Sequence, residues 1–351
     1  MIVFFKAAMV IAPAYSESPR RGDRIPALAH VANRPIAHHV LDGLVQAGVE
    51  QVIVICAADA VMGIRGSLGD YEPCFDRIAY AVCHDSVDIG VTLAASAPLV
   101  GDAPCVIQSA EGLLDAPIGP LLELLDQGAP DLVLFVAPEV DQDGNDEPSL
   151  FMDTEPRFDL EQPTAEFGVF GPGALRRASD LVGCSHAGDL AIAGQFLAGT
   201  GGRVCSRPLE GWRRYRGHGS ELLQLNRIAL DRLTVHMSSG GMTKSNRIEG
   251  HVTIDPTATV RDSSIVGPVV IGAGATVLDA YIGPYTTIGP GARIECVEIE
   301  RSIVYPYASV THVGGRLVSS LVGRGARVFR DFSLPRAMRL SVGEGDEVVL
   351  F

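Results

Sequence analysis

The first cluster of groups able to hold a phosphate lies near the start of the chain. "SESPRRGDR" brings Arg20, Arg21 and Arg24 together. Such a patch can hold a phosphate even in a chain whose formal charge is -14. "CHDS" sets His84 beside Asp85. A histidine oriented by a carboxylate is a general base, but neighbours on a strand point to opposite faces, so adjacency alone does not make that pair. The seven cysteines (Cys56, Cys74, Cys83, Cys105, Cys184, Cys205 and Cys296) are odd in number and lack the close pairing of a zinc site. They read as reduced thiols filling small core spaces, in a cytoplasmic protein. The acidic balance gives no footprint for nucleic acid or an anionic membrane. The opening "MIVFFKAAMVIAPAYS" carries one charge, Lys6, and reads as a buried first strand rather than a leader.

These groups sit on alternating strand and helix patterns. "QVIVICA", "IAYAV", "CVIQSA" and "DLVLFVA" are apolar runs expected as strands covered on both faces. "PIAHHVLDGLVQAG" has a helical stripe of Ile36, Val40, Leu44 and Val45, with Gly48 as its stop. "IGVTLAASAPLV" and "GPLLELLDQG" are further helices. Strands separated by helices predict an α/β domain with a parallel sheet over residues 1–235. Residues 236–250, with "HMSSGGMTKSN", read as a linker.

Beyond the linker the pattern changes to a repeat. Ile254, Ile271 and Ile288 are spaced by seventeen residues. So are Val260, Val277 and Ile294, and so are Ile265, Ile282 and Ile299. Three registers kept at once predict a three-sided parallel β-helix over residues 251–330, each aliphatic stacking on its counterpart in the next coil. The period fades after Val304, and "RLVSSLVGRGARV" reads as a less regular coil. His312 lies in that region and reads as structural rather than as the histidine of a β-helix acyltransferase. Residues 331–351 form a tail expected to pack on the β-helix.

This order of parts resembles the sugar-1-phosphate nucleotidyltransferases, and most nearly the long form of glucose-1-phosphate thymidylyltransferase. The resemblance rests on "VANRPIAHHVLDGLVQAGVEQVIVI", "GWRRYRGHGSELLQLNR", "SSIVGPVVIGAGATV", "AYIGPYTTIGPGARIE" and "LPRAMRLSVGEGDEV". It implies a Rossmann-like nucleotidyltransferase domain followed by a left-handed, hexapeptide-type β-helix. It also implies a reaction in which a sugar phosphate attacks a nucleoside triphosphate and pyrophosphate leaves, with Mg²⁺ and cations carrying the charge.

Position by position, the resemblance places different residues where the family keeps its chemistry. The glycine-rich phosphate loop becomes "APAYSES", with Pro13 lacking a donor N–H and Glu17 near an expected arginine. Pro26 stands for the phosphate-binding lysine, and His30 for an inner proline. Cys83 and His84 stand for base-contacting residues, while Gly90 is retained. The two metal-binding aspartates correspond to Glu111 and Tyr215, the latter between a kept Trp212 and Gly217. Glu155 takes the sugar-phosphate lysine position. Asp189 retains one sugar-binding acid, whereas Ala191 and Gly194 replace the other two.

Three functions follow, in order of preference. The first is a catalytically degenerate paralogue that binds or regulates in sugar-nucleotide or secondary-metabolite biosynthesis. The second is a repurposed enzyme in the old cleft, with His84, Glu111, Arg214, Tyr215 and His218 as candidate groups. The third is a diverged but active transferase. Arg20, Arg21, Arg24, Arg214, His218 and Asp189 are the candidate ligand contacts. No cofactor is expected under the first reading, and Mg²⁺ is expected if transfer persists. A sugar phosphate or pathway metabolite, a protein partner, and a second copy of the chain are the expected partners, with no nucleic acid and no membrane.

Overall fold

The computed structural model describes residues 7–12, 25–83, 89–126, 130–136, 165–181, 190–233 and 245–330. Strand β1 (Ala7–Ala12) is followed by a short hairpin of β2 (His30–Val31) and β3 (Arg34–Pro35), which feeds helix α1 (Ile36–Gln46). Then come β4 (Gln51–Ala57), α2 (Val61–Leu68), β5 (Arg77–Cys83), α3 (Ile89–Val100), β6 (Cys105–Ser109) and β7 (Gly112–Leu114). The α/β part continues with α4 (Gly119–Leu122), β8 (Leu132–Val136), β9 (Ala165–Phe170), α5 (Ala174–Ala178), α6 (Leu190–Gly199), β10 (Val204–Pro208), β11 (Trp212–Arg214) and α7 (Gly219–Asp231).

Seven of these strands form one sheet in the order β10-β8-β9-β6-β1-β4-β5. All neighbours are parallel except β9, which runs antiparallel to β6 and β8. Ala7–Ala12 lies between β4 and β6, as a first strand should. The reason β4 is apolar from Val52 to Ala57 is visible in its packing. Val52, Val54 and Cys56 enter one core, while Ile53 and Ile55 enter the other on the opposite face.

Helix α1 differs in detail from its predicted stripe. Ile36, Val40 and Leu44 are buried together with Ala37 and Leu41, but Val45 is 39% exposed. The buried stripe includes Leu41, and α1 packs against β7, β3 and the 3₁₀ turn at Pro26–Leu28. Gly48 ends the helix with φ 74°, a conformation that favours glycine.

The C-terminal part is a left-handed parallel β-helix of about five coils. Its first strand, Arg247–Glu249, falls within the segment expected as linker. One face stacks Ile254, Ile271, Ile288, Val304 and Val322; a second stacks Val260, Val277, Ile294 and Val310. Ile265, Ile282, Ile299 and Leu317 align on the third. The period fades where the coils change length: Val304 follows Ile288 by sixteen residues and Val322 follows Val304 by eighteen, yet the pairing persists.

Among the described cysteines, Cys56 and Cys105 are buried, but Cys74 and Cys205 are exposed and Cys296 is intermediate, so small core packing accounts for fewer of them than expected. No helix among the described residues is long and apolar enough to cross a membrane.

Candidate functional site

Strand β6 ends at Ser109, and the turn before β7 carries Ala110 and Glu111. Strand β7 pairs antiparallel with β11, with Gly112 opposite Arg214. That register sets Glu111 beside Tyr215, whose backbone N–H donates to the Glu111 carbonyl at 2.9 Å. The close approach needs glycine at 112. A Cβ there would lie 2.5 Å from both the Arg213 carbonyl and the Trp212 ring.

The structure therefore brings together Glu111, Arg214 and Tyr215, but gives them different surroundings. The Glu111 side chain is fully buried. Arg214 donates to its Oε2 from Nε at 2.8 Å and from Nη2 at 2.7 Å. The Arg214 side chain remains 23% exposed. The Ser109 hydroxyl accepts from the Glu111 backbone N–H at 3.2 Å. Tyr215 has no exposure and joins the core containing Trp212, Leu222 and Leu225.

A buried carboxylate held by a guanidinium is charge-compensated without an ion. Magnesium asks for near-ideal octahedral oxygen ligands at about 2.0–2.1 Å. Glu111, with Oε2 taken by Arg214, and a phenol within the core do not fit that demand.

His218 is exposed and precedes α7. Its backbone N–H donates to Glu221 Oε2 at 3.1 Å, and Arg216 N–H donates to the same oxygen at 2.7 Å. That arrangement ties down the helix N-terminus. Pro26 is buried in a short 3₁₀ turn, where its missing N–H costs no ladder bond. His84, Arg20, Arg21, Arg24, Asp189 and Glu155 lie outside the described residues, as do Pro13, Glu17 and residues 331–351.

Sequence reasoning missed a second polar cluster, on α1. Tyr71 donates to Asp42 Oδ1 at 2.6 Å, and Arg34 donates to Asp42 Oδ2 at 2.8 Å. Burial would raise the Asp42 carboxyl, but the hydrogen bonds from Arg34 and Tyr71 outweigh it and hold the group below its usual value. His39, behind them, shares a hydrogen bond of 3.0 Å with the Val31 carbonyl. Burial lowers its pKa to about 4. A cleft of about 320 Å³ opens here, lined by Arg34, Asp42, Gln46, Asp115, Trp212 and Arg232. Its two arginines and two aspartates balance, and neither Glu111 nor Arg214 lines it.

The chain matches no protein-family model. It is 29% identical over 340 residues to a low-salt glycan biosynthesis nucleotidyltransferase of Haloferax volcanii, covering 92% of this chain and 93% of that one. It is 28% identical over 334 residues to a glucose-1-phosphate thymidylyltransferase of Streptomyces antibioticus, covering 92% of each. A similar enzyme of Streptomyces griseus is 27% identical over 329 residues, with 90% of this chain and 91% of that one covered. In fold, the chain is similar to a solved Bacillus anthracis structure described as a glucose-1-phosphate thymidylyltransferase. That match has a TM-score of 0.52 at 14% identity and covers 66% of this chain and 97% of the other. Similarity that runs through both the α/β sheet and the β-helix, and not through one of them alone, supports the sugar-1-phosphate nucleotidyltransferase family for this chain.

Proposed function

We propose that this chain is a degenerate member of its family, acting by binding or regulation in sugar-nucleotide or secondary-metabolite biosynthesis rather than by nucleotidyl transfer. The observation that carries this reading is the Glu111–Arg214 pair. A fixed guanidinium occupies the carboxylate at one metal position, and the other position is a core tyrosine. Transfer needs the metal, the phosphate cradle and the sugar contacts to act together, so losing the metal clamp removes most of the rate. Under this reading no metal cofactor is used. The ligand class is a sugar phosphate or a related pathway metabolite, and the β-helix serves assembly with a protein partner or a second copy.

Calorimetry with dTTP and the other nucleoside triphosphates, with and without Mg²⁺, tests it. No Mg²⁺-dependent micromolar binding is expected. Pyrophosphate release from dTTP and glucose 1-phosphate is expected to stay at background, also in Glu111→Asp/Tyr215→Asp. Release by either protein overturns the reading. The near-full-length similarity to transferases favours one competing reading, a diverged active enzyme, and release by the wild type would establish it.

A further inference from the structure

One of the stretches that carry the family resemblance begins "VANRP", within the β2–β3 hairpin. Its two turn residues, Ala32 and Asn33, have φ of 47° and 64°. Asparagine tolerates this region, whereas alanine is strained there and needs outside support. That support comes from three directions. The Ala32 N–H donates to Asn226 Oδ1 on α7 at 2.9 Å. His39 on α1 meets the Val31 carbonyl. Asn33 Nδ2 donates to the Ile288 carbonyl of the β-helix at 2.8 Å. Gly272 makes room for that last contact, since a Cβ there would lie 3.0 Å from Asn33 Nδ2.

Asn226 joins all three parts. It is 1% exposed. Its Oδ1 also accepts from Thr287 Oγ1 at 2.7 Å, and its Nδ2 donates to the Tyr285 carbonyl at 3.2 Å. Thr287 and Tyr285 belong to the β-helix, on the face whose outward Val270 and Ile303 enter the α/β core. Asn226 itself sits on α7, which packs against β7 and β11. Arg214 ends β11, and its partner Glu111 immediately precedes β7.

We infer that the Ala32–Asn33 hairpin is a docking element for the β-helix, and that Asn226 couples the β-helix to β11 and the Glu111–Arg214 pair. The motif is then retained for an interface within the chain, whatever the neighbouring loop does with nucleotides. The two bonds to Asn226 Oδ1, from the Ala32 N–H and the Thr287 hydroxyl, are buried, so water does not replace a partner removed there; those from Asn33 Nδ2 and Asn226 Nδ2 are part-buried. The inference stands apart from the functional reading above, because it concerns docking and holds with or without catalysis.

Hydrogen exchange on the full chain tests it. Thr287→Val keeps the shape but drops the hydroxyl, and Thr287→Ser keeps the hydroxyl. In Thr287→Val the amides of Ala32 and Tyr215 are expected to exchange roughly tenfold faster, while Val260 and Val277 in the β-helix core are unchanged. Thr287→Ser is expected to return both amides to near the wild-type rate. Asn33→Gly, which keeps the turn and loses the donor, is expected to speed Ala32 as well. Unchanged rates at Ala32 and Tyr215 in Thr287→Val overturn the inference. So does an equal rise at Val260 and Val277, and so does a serine variant as fast as the valine one.

Discussion

Replacing Arg214 by leucine should leave a carboxylate in a fully buried place without its guanidinium. Breaking one side of a buried ion pair costs about 3–5 kcal/mol. The upper end is limited, because the carboxyl can take up a proton instead. For a glutamate of ordinary pKa near 4.3, protonation at pH 7 costs about 3.7 kcal/mol, at 1.36 kcal/mol per pH unit. At pH 5 the same step costs about 1 kcal/mol. The sign follows from linkage. In the variant the folded state holds a proton that the unfolded state has released above pH 4.3, so its deficit grows as pH rises. Urea unfolding of Arg214→Leu and wild type at pH 5, 6 and 7 is the assay. The difference between them should widen by about 2.7 kcal/mol across that range. Glu111→Met/Arg214→Leu, which removes both charges, should come within about 1–2 kcal/mol of wild type at every pH. A small or pH-independent deficit in Arg214→Leu, or an equal deficit in the double variant, would refute the buried-pair reasoning.

His39, whose pKa burial lowers to about 4, should make the protein less stable in acid. The unfolded chain takes up a proton below about pH 6.5 and the folded chain does so only near pH 4, so about 3 kcal/mol is lost across that window. The loss should be absent from His39→Gln in matched pH titrations, and an identical pH slope would contradict it. Ile271→Asp puts an unpaired charge between stacked coils and should cost several kcal/mol, whereas Thr276→Asp on the half-buried outward side should stay within about 0.5–1 kcal/mol. Melting temperatures of the two decide it, and equal losses would mean the coil register is wrong. Gly112→Ala drives a methyl into the Arg213 carbonyl and the Trp212 ring, and should cost about 1–3 kcal/mol. A neutral result in chemical denaturation would show that β7 and β11 are not held that closely.

Much of the fold was legible because it repeats or alternates locally. The run from Val52 to Cys56 is apolar throughout because it feeds cores on both sides of the sheet. The seventeen-residue spacing of Ile254, Ile271 and Ile288 reports direct stacking of one coil on the next, so the same inward positions recur in sequence. Even the fifth coil could be read from "RLVSSLVGRGARV", although its lengths drift.

The site was legible only as a set of positions. Aligning "SAEGL" and "WRRYRG" named Glu111 and Tyr215, and β7–β11 pairing does put them side by side. Which side chain meets the carboxylate was decided in three dimensions. Adjacent residues on an extended chain point apart, so Arg214 reaches Glu111 across 103 positions while Tyr215 turns into the core. The junction at Asn226 was hidden for the same reason. Its partners Ala32 and Thr287 lie 194 residues before it and 61 after it. Sequence alone thus determined the elements, whose hydrophobic periods are set by neighbours a few residues away or one coil away. Only the tertiary structure decided the Glu111–Arg214 pair and the hairpin's docking, because hydrogen bonds between distant segments leave no period to read.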